Sequence, residues 1–194
     1  MSNFIFYFNL GWDHIVSIEA LDHLYFISVL AVMYHFSDWR KVLILVTAFT
    51  IGHAITLFMS ALDVFRLPDE VVEFAIPLTI VLSAILNFRK TIHTVNADKF
   101  QYATALLFGL VHGMGYANTI RFILSSDQQL IFSLFSFNIG LEIGQIFVVL
   151  LMLFAGWLVS ATKLLSRREW VIAYSSFIFG LALQLAIERN PFLQ

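Results

Sequence analysis

The sequence predicts an all-α, polytopic membrane helix bundle of about six transmembrane helices, with both termini outside. Three observations carry that prediction. First, 60% of the 194 residues are hydrophobic and only 12% are charged, against roughly 25% charged in an ordinary soluble domain. So few charges do not cover the surface of a soluble globule of this size. Second, the apolar residues fall into long continuous runs, each close to the ~20 residues that a bilayer crossing needs. Third, the runs do not alternate in and out, which argues against a membrane β-barrel. Six helices of this kind fill the chain and leave short loops, so residues 1–194 read as a single integral membrane domain.

The elements follow in order. Residues 1–18 contain no Lys or Arg and are rich in Phe, Tyr and Trp, which fits a segment resting in the outer interface. They lack the positive n-region of a signal peptide, so the start reads as part of the mature chain. Apolar segments then run near 21–36, 42–62, 71–88, 100–124, 130–159 and 170–187. Charged or turn residues bound each one. The loops after the first, third and fifth segments hold Arg40, Lys41, Arg89, Lys90, Lys99, Lys163, Arg167 and Arg168, while the opposite side holds Arg66, Arg121 and Arg189. Basic residues stay in the cytoplasm, which places both termini outside. No internal repeat is evident in the sequence.

Composition also removes functions. There is no Cys, so disulfides, thiolate metal sites and Cys nucleophiles are excluded. A net charge of −2 leaves no nucleic-acid footprint. The expected partners are the lipid bilayer and a metal ion, with homo-oligomer formation left open.

An ionisable group at the bilayer centre costs about 2.5–3.5 kcal/mol on insertion scales and usually faces the bundle interior. The chain carries a distinct set of such groups. Asp13-His14 lies in the opening segment, and Asp22-His23 opens the first apolar run. Thr50, His53 and Thr56 form one helical stripe, as do Asn138, Glu142 and Gln145. Glu73 precedes Pro77, and His112 sits among Gly109, Gly113 and Gly115. Metal ligands are therefore expected from His14, Asp22, His23, His53, Glu73, His112 and Glu142. Asp13, Thr50, Thr56, Asn138 and Gln145 are expected as supporting partners, since a ligating imidazole needs its second nitrogen held. Gly52, Gly109, Gly113 and Gly115 fit either close helix packing or the shaping of a ligand site. Plainer readings stand beside these. Asp22-His23 also suits a solvated helix start, Glu73 a helix dipole, and Glu142 a structural polar network. His35 and His93 read as surface residues.

Imidazole with carboxylate suits nickel, cobalt, zinc or iron, whereas copper(I) prefers sulfur. Two functions use such a set. One is transmembrane transport of a divalent transition metal ion. The other is a membrane-embedded, zinc- or iron-dependent hydrolase in which the metal activates water.

Several blocks also match a known family pattern. They are Gly11-Trp12-Asp13-His14-Ile15, Asp22-His23-Leu24-Tyr25-Phe26, Thr47 to Leu57 around Gly52-His53, Val72-Glu73-Phe74-Ala75-Ile76, Phe108 to Ala117 around His112, and Phe137 to Gln145 around Glu142. In this order, over roughly residues 11–150, they resemble the HupE/UreJ membrane proteins. The resemblance implies a secondary carrier for nickel or cobalt in the inner membrane. It also implies that Asp22, His23, His53, Glu73, His112 and Glu142 lie on the metal path.

Overall fold

Local chemistry sets the helix ends. The last helix starts in a capping box: the Ser166 side chain accepts from the Glu169 N–H at 3.3 Å, and the Glu169 carboxylate accepts from the Ser166 N–H at 2.7 Å. The helix before it stops at Lys163, which takes the left-handed conformation (φ 54°) of a helix C-cap. The computed structural model describes residues 3–64, 67–89, 99–124 and 129–193. His93 lies outside them, and His35 is exposed.

Among the described residues the regular elements are all helices, with no strand. In order come α1 (Asn3–Val16), α2 (Leu21–Ala31), α3 (Trp39–Ala61), α4 (Asp69–Arg89), α5 (Lys99–Gly115), α6 (Ala117–Leu124), α7 (Leu130–Thr162) and α8 (Arg167–Glu188). Short 3-10 turns precede α2 and α3. Four spans are long and apolar enough to cross a membrane: Phe36–Ala61, Asp69–Arg89, Leu130–Thr162 and Arg167–Glu188. Helices α1 and α2 pass together as a fifth, bent by 68° at their junction. The run expected near 100–124 is broken into α5 and α6. Large apolar side chains such as Phe135, Phe154, Trp157 and Phe177 point outward, as a lipid-facing surface requires.

The opening segment differs from expectation. Instead of resting alone at an interface, it forms α1 and buries Tyr7, Gly11 and Ile15 along α7. Helix α5 packs along α3 in the same way. Glycines on both helices of each pair allow this approach. A Cβ added to Gly11 would collide with the Phe137 carbonyl, and one on Gly140 with the Phe8 carbonyl. Gly52 meets the Leu106 carbonyl and Gly109 the Phe49 carbonyl. With no Cβ, the backbones come into direct contact, the usual device for joining helices where lipid supplies no hydrophobic driving force.

Side-chain to backbone bonds tie the remaining helices. Asn87 of α4 donates to the Val29 carbonyl at 2.7 Å and to Ser175 Oγ at 3.1 Å, joining α2, α4 and α8. Arg167 donates to the carbonyls of Val32 and Tyr34 beyond the end of α2. Arg121 of α6 donates to the Ser60 carbonyl at 3.0 Å, fixing α6 at the end of α3.

A test of the glycine contacts compares Gly109→Val with Gly180→Ala. The first drives a side chain into backbone, and overpacking typically costs about 1–3 kcal/mol. The second adds a methyl with nothing within 4 Å. Thermal melts in detergent should show a lowered midpoint for Gly109→Val and none for Gly180→Ala. Equal midpoints would remove the packing argument.

Candidate metal centre

Two glycine crossings and one helix break bring the histidines together. His14 follows Gly11 by one turn on α1, His112 follows Gly109 by one turn on α5, and His53 follows Gly52 directly on α3. His23 arrives from the first turn of α2, after the 68° bend. His14, His23 and His53 each offer a ligand atom, and those atoms lie within 4.8 Å of one another. His112 joins them, with its ring centroid 5.0 Å from that of His23. Three of the rings, His23, His53 and His112, are buried. Tyr116 packs on His14 at 4.1 Å, Phe137 on His14 at 5.7 Å, and Phe49 on His112 at 5.2 Å.

The hydrogen bonds assign the protons. His23 Nδ1 lies 3.1 Å from Asp22 Oδ1, and a carboxylate only accepts, so Nδ1 carries the proton. His112 Nε2 lies 3.0 Å from the Thr79 hydroxyl. That hydroxyl spends its own proton on the Ile76 carbonyl at 2.7 Å, so His112 Nε2 donates and Nδ1 keeps its lone pair. The nitrogens left over are His14 Nε2, His23 Nε2, both nitrogens of His53, and His112 Nδ1. All are buried and have no hydrogen-bond partner. A buried polar atom without a partner costs free energy. Several such imidazole nitrogens facing one another make a donor set that a borderline transition metal ion would satisfy. The Asp22–His23 pair has the carboxylate–histidine arrangement that orients a metal-ligating ring.

A cavity of about 700 Å³ leads to this cluster. Asp13, His14, Asp22, His23, Glu73, His112, Gly115 and Tyr116 line it, together with Arg189. Arg189 Nη1 lies 3.5 Å from Asp22 Oδ2, so Asp22 joins the cluster to the cavity mouth.

Other expected residues lie elsewhere. Glu142 does not line this cavity. Its carboxylate accepts from Thr47 Oγ1 at 2.6 Å and from Thr50, and Thr50 also lies 2.8 Å from Gln145 Oε1. This is a separate polar network between α3 and α7. Thr50, Gln145, Thr56 and Asn138 bond to no imidazole. Thr56 bonds the Gly52 and Leu110 carbonyls, and Asn138 donates to the Leu134 carbonyl at 2.7 Å. Gly52, Gly109 and Gly113 are packing positions. A Cβ on Gly113 would sit 2.6 Å from the His53 carbonyl. Sequence reasoning missed Thr79, Tyr116 and Arg189 as neighbours of the cluster. Tyr116 stands in the Gly115-Tyr116 block, and a lone Thr after Pro77 gave no comparable signal.

The HupE/UreJ protein model matches residues 1–189, nearly the whole chain. The chain belongs to the HupE/UreJ family. No curated protein and no solved structure matches it. With its four spanning helices and its family, this HupE/UreJ chain is a multi-pass membrane protein.

Asp22→Asn and Thr79→Val remove the groups that orient His23 and His112. Each should weaken nickel binding by about 10–100-fold in calorimetric titration, the usual effect of losing such a partner. Thr56→Val should leave binding unchanged. Unchanged binding in both Asp22→Asn and Thr79→Val would show that these partners do not position ligands.

Proposed function

We propose that this HupE/UreJ protein carries a divalent transition metal ion, nickel or cobalt, across the inner cell membrane through the four-histidine centre. The observation that carries this reading is the group of buried, unpartnered imidazole nitrogens on His14, His23 and His112, which line the cavity, and on His53 beside them. A structural histidine uses its nitrogens in hydrogen bonds, whereas these face one another. The family's general association with nickel and cobalt handling agrees with the donor chemistry.

In this reading the chain crosses six times, with α1–α2 and α5–α6 as broken spans. Arg40, Lys41, Arg89, Lys99, Lys163, Arg167 and Arg168 cluster at one end of the helices, which faces the cytoplasm. The cavity opens at the other end, toward the exterior, where both termini lie. Asp13, Asp22 and Glu73 attract the cation at the mouth, and His14, His23, His53 and His112 exchange its water for nitrogen. Neutral imidazole ligands, with no thiolate in the chain, suit the reversible binding that a carrier requires. The network of Glu142, Thr47, Thr50 and Gln145 lies about one helical turn from His53 along α3. It is placed to receive charge as the ion moves on.

Uptake of nickel into proteoliposomes tests the proposal. His53→Ala and His112→Ala should each lower it about tenfold or more, with circular dichroism unchanged. Full uptake in both variants overturns the mechanism.

A further inference from the structure

The helix packing contains a repetition that the sequence did not display. Divide the chain into α1–α4 and α5–α8. Each half begins with a helix carrying Gly-x-x-His (Gly11 to His14, Gly109 to His112). A break and a short helix follow, α2 or α6. Next comes the longest helix of the half, carrying Phe-x-Ile-Gly (Phe49 to Gly52, Phe137 to Gly140), and then a helix of 21 or 22 residues.

Exchanging the halves reproduces the main contacts of the long helices, although α2 on α4 and α4 on α5 have no counterpart of comparable extent. The α1–α7 pair becomes α5–α3, α2 on α7 becomes α6 on α3, and α3–α7 and α4–α8 map onto themselves. The register survives at atomic level. Gly11 faces the Phe137 carbonyl as Gly109 faces that of Phe49. Gly140 faces the Phe8 carbonyl and the Trp12 nitrogen (3.0 Å), as Gly52 faces the Leu106 carbonyl and the Leu110 nitrogen (2.9 Å). In these pairings Phe8 and Trp12 correspond to Leu106 and Leu110, at the same spacing from Gly11 and Gly109. The aromatic contacts repeat too: Phe137 lies 5.7 Å from His14, and Phe49 lies 5.2 Å from His112.

Direction follows from the same registers. Helix α1 runs parallel to α7, and α3 runs parallel to α5. Helices α2 and α8 are antiparallel, because Asp22 meets Arg189 at one end and Arg167 meets Val32 at the other. On the six-span reading proposed above, with α1–α2 and α5–α6 each taken as one broken span, each half crosses three times. The halves therefore enter the membrane from opposite sides.

We propose that the protein is an inverted repeat of two three-span halves meeting at His14 and His112, and that it moves its cargo by alternating access between them. The access step rests on the transport reading above. Inverted halves around a midplane site on broken helices are a recurrent carrier architecture, because exchanging the two conformations reverses the open side. The 700 Å³ cavity reaches the cluster from the Arg189 end. Among the described residues, the pocket at the other end, lined by Tyr34, Asn87, Phe100 and Phe108, holds no histidine. Toward the other end, Phe26 stacks on Phe49 at 4.8 Å and packs on His112 at 5.2 Å, with both Phe side chains buried. A pseudo-symmetric molecule with one open side has a counterpart state open on the other.

Because the chain has no Cys, single-Cys variants of the full protein report cleanly on membrane sidedness. In vesicles of both orientations, an impermeant maleimide should label Ser37→Cys and Gln129→Cys, in corresponding turns, from opposite sides. Labelling from the same side overturns the inverted repeat. Ser17→Cys and Ala20→Cys line the cavity and should label from the mouth side alone without metal. During nickel uptake they should also label from the opposite side, severalfold faster than at rest. Mouth-side labelling alone at both positions during uptake overturns alternating access. Absence of nickel uptake by the unaltered chain overturns the transport reading and the alternation with it. The inverted repeat would then still stand or fall on Ser37 and Gln129.

Discussion

The site depends on backbone contact at glycine. Where α1 crosses α7 and α3 crosses α5, an added Cβ would strike a carbonyl of the opposing helix. Such contact is available only to Gly, and it sets the register of each pair to a single position. His14, His53 and His112 lie one to three residues from those crossings, so the register fixes where their rings meet. Bulk lipid does not squeeze helices together, so close van der Waals packing carries that task. The same contacts that hold the bundle therefore build the centre.

What the centre offers is lone pairs. Asp22 holds a proton on His23 Nδ1, and Thr79 accepts one from His112 Nε2. His23 Nε2 and His112 Nδ1 are then left buried without a partner. Unfilled, such nitrogens are a standing cost in a buried site. A ligand that satisfies several at once gains what the fold has given up. Exposed Asp13 and Glu73 line the same cavity as buried His23 and His112, so in the transport reading an entering cation would meet softer ligands with depth.

The membrane class and the helix positions were legible because they depend on composition and run length. The run read as 71–88 is Asp69–Arg89, and that read as 130–159 is Leu130–Thr162. His53 and His112 stood out because an imidazole is costly at membrane depth, and His23 through the Asp22-His23 pair that opens the first apolar run. What was not legible depends on which faces meet. The aromatic residues of α1 suit an interface and a helix packing face equally, and only contact with α7 separates the two. Glu142 and Gln145 share a helical stripe, but a stripe fixes a face and not the neighbour it meets, here Thr47 and Thr50. Thr79 is 33 residues from His112, and no local pattern links them. The proposed repeat was not legible because it rests on a few glycines and aromatics, and the residues between them differ in the two halves.

X-ray absorption at the nickel K-edge, on purified protein loaded with one equivalent of nickel, tests the four-histidine centre most directly. The account predicts a first shell dominated by nitrogen, with the multiple-scattering signature of several imidazoles. That signature should weaken in His53→Ala and in His112→Ala. An all-oxygen shell, or a spectrum unchanged by both substitutions, would contradict it.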